Sequence, residues 1–140
     1  MRLIAFRSEY QLTVDDARNR IFYQNFESML GATALPHYLT DWATALAEVS
    51  AGFSILTDMQ VVNQLGTALR PEFQAAEDLI VQHGVGIVAE VHVPGLSTRH
   101  CYDAVTTSKA MPVRHFLDIW DATQFLDELH TCAPILSQVR

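Results

Sequence analysis

Tyr10-Gln-Leu-Thr-Val-Asp-Asp-Ala-Arg-Asn-Arg-Ile-Phe-Tyr-Gln-Asn-Phe-Glu27 is the stretch on which the fold turns. Tyr10, Leu12 and Val14 alternate with Gln11 and Thr13, the two-residue period of a strand with one buried face. The polar run from Asp15 to Asn19 suits a tight connection, because Asp and Asn side chains hydrogen-bond their own backbone. Arg20 to Glu27 then reads as a second strand folded back on the first. A helix is the competing reading, since Phe22, Phe26, Met29 and Leu30 also recur at helical spacing. Two extended segments put Asp15 in a turn, away from any acidic cluster; a helix beginning at Ala17 reopens that cluster.

Outward from this hairpin, strands and helices alternate. Pro36 opens a helix whose apolar stripe is Leu39, Trp42, Ala43, Leu46 and Val49, and Ser50-Ala-Gly52 stops it. Phe53 to Asp58 is a third, short apolar strand. Met59 to Arg70 reads as a loop, and Pro71 opens a second helix with Phe73, Ala76, Leu79 and Ile80 facing inward. His83-Gly84 closes that helix, the glycine supplying a left-handed cap. Gly86 to Val93 is a fourth strand, Pro94-Gly95 a turn, and Ser97 caps a third helix running to Val105. Ala110 to Phe116 forms a fifth strand, and Asp118 caps a last helix with Ala122, Phe125, Leu126 and Leu129 inward. Residues beyond His130 read as a tail, and Trp42 and Trp120 are expected to pack on the core. The order β-β-α-β-α-β-α-β-α predicts an α/β fold, a mixed, mostly parallel sheet opened by an antiparallel hairpin.

Composition narrows the function. The 140 residues make a single domain, 1–140 with its core at about 10–129. Nine Lys+Arg against sixteen Asp+Glu leave a net charge of -7 with no basic run, which argues against nucleic acid and anionic membranes. No apolar stretch reaches the ~20 residues that span a bilayer, and the Met1–Arg7 segment is too short for a secretion signal. Cys101 and Cys132 lack paired spacing, which fits a reducing cytoplasm. His37, His83, His92, His100, His115 and His130 show no HxH or HExxH pattern, so neither a metal nor a cofactor is expected. His100-Cys101 is a poor nucleophile–base pair, because helix neighbours point about 100° apart. Gly84-Val-Gly86 precedes a strand rather than joining strand to helix, so it is no dinucleotide fingerprint. Glu90 lies in an apolar strand run, where an outward or edge position is expected. A buried carboxylate there, serving with a histidine as acid and base in a small enzyme, is the minor alternative.

Asp15, Asp16, Asp58 and Lys109 resemble, in spacing, the acidic site of the receiver domain of bacterial response regulators. That resemblance implies a phosphoacceptor using Asp58 with Mg²⁺. Lys109 precedes the fifth strand instead of ending it, however, and the fourth strand ends without Ser or Thr.

A longer resemblance covers about residues 10 to 129. Val14-Asp-x-Ala-Arg-Asn-Arg-Ile21, Pro36-x-Tyr38 with Asp41 and Ala45-Leu46, and Gly52-Phe-x-Ile-Leu-Thr-Asp58 form its first half. Val88-Ala-Glu-Val91, Met111-Pro-x-Arg-x-Phe116 and Asp118 with Ala122 and Phe125-Leu126 form the second. In this order they resemble STAS-like domains related to the sporulation anti-sigma-factor antagonist. The resemblance implies a non-catalytic domain acting by protein–protein contact, as a possible homodimer with a further partner unnamed. It implies a contact surface at the loop after the third strand and the start of the second helix: Asp58, Gln60, Thr67, Leu69 and Arg70. No serine lies between Ser54 and Ser97, so the family's serine phosphorylation switch does not carry over.

Overall fold

A computed structural model describes residues 1–26, 34–59, 69–92 and 111–139, with side chains described as far as Thr131. Six strands, β1 (Arg2–Phe6), β2 (Tyr10–Asp15), β3 (Arg20–Asn25), β4 (Ser54–Asp58), β5 (Ile87–Val91) and β6 (Val113–Phe116), form one mixed sheet. Three helices, α1 (Tyr38–Leu46), α2 (Arg70–Gln82) and α3 (Ile119–Val139), complete the described fold. The strands lie side by side in the order in which they occur along the chain. β2 runs antiparallel to both of its neighbours, β1 and β3, and β3 through β6 are parallel.

The decisive stretch is extended. Tyr10 pairs with Asn25 and Asp15 with Arg20 along an unbroken antiparallel ladder. Asn19 sits at φ 51°, a left-handed position that Asn tolerates. Its side-chain oxygen accepts from the Ser50 N–H at 2.9 Å, and its amide donates to the Ser50 carbonyl. The turn thereby anchors the end of α1 as well as the hairpin.

Successive crossovers β3–α1–β4 and β4–α2–β5 step the same way across the sheet. Right-handedness therefore puts both helices on one face, where they touch each other. Between them and the sheet lies the larger core, including Tyr10, Leu12, Ile21, Phe53, Ile55 and Ile80. α3 covers the opposite face of β4, β5 and β6, with Leu56, Ala89, Val91, Ala122 and Leu126 as a second core. The ends behave as capping rules require. Asp118 Oδ1 accepts from the Asp121 N–H at 2.8 Å at the start of α3, and Gly84 follows α2 at φ 82°.

Several expectations need correction. β1 was not expected; it is an edge strand with only Ala5 buried and a register shift between Leu3 and Ala5, so it carries no alternating pattern. The residues beyond His130 are helical to Val139 rather than a tail. On α1 the buried face is Tyr38, Asp41, Trp42, Ala45 and Leu46. Leu39 and Ala43 turn outward because Asp41 is drawn in by ion pairing. Trp42 is buried, but Trp120 is 75 % exposed on α3, next to exposed Leu117. The expected helix from Ser97 to Val105 falls outside the described residues, as do Met29 and Leu30.

Candidate functional site

β5 runs through the middle of the parallel half and is buried on both faces, yet its sequence is Ile-Val-Ala-Glu-Val. Glu90 is 1 % exposed, so the outward or edge position expected for it is wrong. Strand register explains its surroundings. Tyr23 of β3 pairs with Thr57 of β4, Thr57 with Glu90, and Glu90 with His115 of β6. In-register residues of parallel strands point the same way, so these four side chains form one polar rung on the face covered by α1 and α2. His92, two residues after Glu90, lies on that same face, and its N–H donates to the Phe116 carbonyl at 3.0 Å.

The rung ends in a tight triad. Glu90 Oε2 is 3.4 Å from His92 Nε2 and 3.5 Å from His115 Nδ1, and the two ring nitrogens share a hydrogen bond at 2.9 Å. A carboxylate taken fully out of water is costly unless hydrogen bonds or positive charge face it, and the two imidazoles stand within ion-pair distance of this one. His115 is 34 % exposed by side chain, so the triad reaches the surface on the β6 side.

On its inner side Glu90 also faces a cavity between the sheet and helices α1 and α2. The cavity has a volume of about 50 Å³. That is room for several waters or a small polar group. Tyr23, Tyr38, Trp42 and Phe73 supply aromatic walls, and Glu77 of α2 and Glu90 of β5 supply two buried carboxylates. Tyr38 stacks edge-on against Tyr23 and Phe73, with centroids 5.9 and 5.4 Å away. Burial pushes the Tyr38 phenol up to about 12, with Glu77 and Glu90 adding to the rise against hydrogen bonds to Tyr23 and Trp42.

The five residues expected to form a contact surface are not gathered here. Asp58 is buried at the end of β4, and Leu69 is buried in the larger core. Arg70 is exposed at the first position of α2, while Gln60 and Thr67 lie outside the described residues. The acidic receiver-like cluster does not assemble either. Asp15 pairs with Arg20, Arg20 pairs with Ser54, and Asp58 ends the strand that Ser54 begins. Asp15 and Asp58 therefore sit at opposite ends of the sheet, about 13 Å apart along four strand residues. Asp15 instead accepts from Arg18 at 3.0 Å. Lys109 is outside the described residues.

Sequence reasoning missed Glu77, and offered a buried Glu90 with a neighbouring histidine only as its minor alternative, the grouping that the triad shows. Glu77 lies four residues from Phe73 and three from Ile80, which places it on the buried helix face. Glu90-x-His92 puts both side chains on one strand face, a usable local signal. His115 joins them only through the pairing of β5 with β6. A scan against protein-family models and searches of curated proteins and of solved structures return no match for this chain.

Proposed function

We propose that the domain works by binding a small molecule in the cavity between the sheet and helices α1 and α2, and that the ligand is a compact organic amine. One observation carries the reading: two buried carboxylates, Glu77 and Glu90, line a mostly apolar cavity to which Tyr23, Tyr38, Trp42 and Phe73 contribute aromatic rings. Carboxylates accept from an ammonium group, and aromatic faces attract it electrostatically. The position also fits, since open α/β sheets take ligands at the carboxyl ends of their parallel strands. Titration with ethanolamine and 1,3-diaminopropane, against 1,3-propanediol, tests it by NMR. Saturable shifts at Tyr23 and Tyr38 with the amines, weakened about tenfold or more by Glu77→Gln, are the expected result. Equal response to the diol, or an unchanged response in Glu77→Gln, overturns it.

A second reading keeps the STAS-like expectation of protein–protein contact between copies of this chain. Exposed Trp120 and Leu117 favour it, because buried aromatic anchors dominate interfaces. It predicts a dimer in sedimentation that Trp120→Ala dissociates; a monomeric wild type removes it. A reducing, cytoplasmic setting, inferred from the two lone cysteines, is part of the same proposal.

A further inference from the structure

The geometry points to a divalent transition-metal site built by Glu90, His92 and His115. This inference does not rest on the amine reading, with which it shares only Glu90. Each residue offers one ligand atom, and the three atoms lie within 4.8 Å of one another. The triangle has sides of 2.9, 3.4 and 3.5 Å. Its circumradius is about 1.9 Å, so a point slightly off its plane lies ~2.0–2.1 Å from all three atoms, the bond length of zinc to imidazole and carboxylate.

Ligand chemistry and access agree with that distance. Two imidazoles and one carboxylate are a borderline-soft set suited to zinc or iron, and unsuited to Mg²⁺ or Ca²⁺, which take oxygen donors. Three protein ligands leave at least one position open, as catalytic rather than structural sites do. The backbone fixes the set: Glu90 and His115 are paired across β5 and β6, and the His92 N–H is held by Phe116. His115, a third exposed, gives an ion a way in. The chain thus presents an open His₂–carboxylate site that a metal would fill once the hydrogen lying between the two rings moves to the other nitrogen of its own ring.

The full-length chain, stripped with a chelator, is titrated with Zn²⁺ and with Co²⁺, whose ligand-field absorption reports coordination. One ion per chain, with Mg²⁺ and Ca²⁺ failing to compete, is the expected outcome. His115→Ala should weaken binding by about 100-fold or more, since even outer-shell changes cost 10–100-fold. His130→Ala, on the exposed side of α3, should not change it. In the wild type, NMR signals of the His92 and His115 rings should respond to Zn²⁺ at one equivalent, which keeps the test valid should the variant fold poorly. Binding below one ion per chain, an affinity that survives His115→Ala in folded protein, or silent His92 and His115 rings overturns the assignment. A metal result in either direction leaves the amine titration to be decided by Glu77→Gln.

Discussion

Replacing Asp41 by Asn should cost about 2–3 kcal/mol of folding stability, most of it through Tyr10. Asp41 is a buried carboxylate on α1 that receives three hydrogen bonds from the antiparallel half of the sheet. Arg7 donates through Nε and through its terminal nitrogen at 2.9 Å each, and the Tyr10 hydroxyl donates at 2.5 Å. The Arg7 side chain is 39 % exposed, so solvent screening makes that pair the smaller part of the cost. Tyr10 is 1 % exposed, and a buried hydroxyl left without a proper acceptor costs ~1–3 kcal/mol. Asn offers one oxygen where the carboxylate offers two, and turns an N–H₂ toward donors. The charge adds a pH signature. Burial alone raises the Asp41 pKa, but the hydrogen bonds from Arg7 and Tyr10 outweigh it and hold the carboxyl below its usual value. A folded pKa below the unfolded ~3.9 means that this stability is complete above that pH and is lost as pH falls through the folded value. Urea denaturation from pH 7 down to pH 3 measures it. The gap between wild type and Asp41→Asn should be widest near neutrality and should narrow below about pH 4. A gap under ~1 kcal/mol at pH 7, or one independent of pH, refutes the reasoning.

Gly86→Ala should cost ~1–3 kcal/mol, because a Cβ there would meet the Gly52 carbonyl oxygen at 2.6 Å; a urea midpoint equal to wild type contradicts this. Raising the pH from 10 to 12 should cost the wild type about 2 kcal/mol more than Tyr38→Phe, since burial lifts Tyr38 to about 12 and the stability that a raised folded pKa contributes is full below the unfolded value and lost as pH rises to the folded one. Tyr38→Phe cannot ionise and should escape that loss; parallel alkaline curves for the two proteins refute the assignment. Asp127→Ala should cost ~1 kcal/mol, less in high salt, because Arg20 on β3 reaches Asp127 on α3 at 2.8 Å and Asp127 is half-exposed; no change at low salt contradicts it.

The elements legible from sequence were those in which one local rule acted alone. The hairpin showed through the alternation of Tyr10, Leu12 and Val14, and α2 through Phe73, Ala76 and Ile80 with Gly84 behind them. Asp118 announced the start of α3. β1 escaped because an edge strand is held by backbone pairing, which leaves no apolar period to read. On α1 a charged residue took a core position through a partner 34 residues away in sequence, and no helical wheel contains Arg7. The site was half visible. Glu90 stood out as a charge inside an apolar run, but its meaning depends on His115, which is 25 residues further on and adjacent only once β5 and β6 are paired. Register between strands so far apart along the chain is tertiary information, and single-sequence patterning does not hold it.

Because every strand hydrogen-bonds its nearest neighbours in chain order, the sheet can grow as the ribosome delivers it. The first three strands close with tight turns, and such local pairing forms quickly. Each later strand then meets a finished border instead of waiting for a partner still unmade, which limits the time that sticky strand backbone is left uncovered during synthesis. The ligating histidine of β6 arrives last of the triad, so nascent chains acquire the complete set of three donors only after the rest of the sheet is in place.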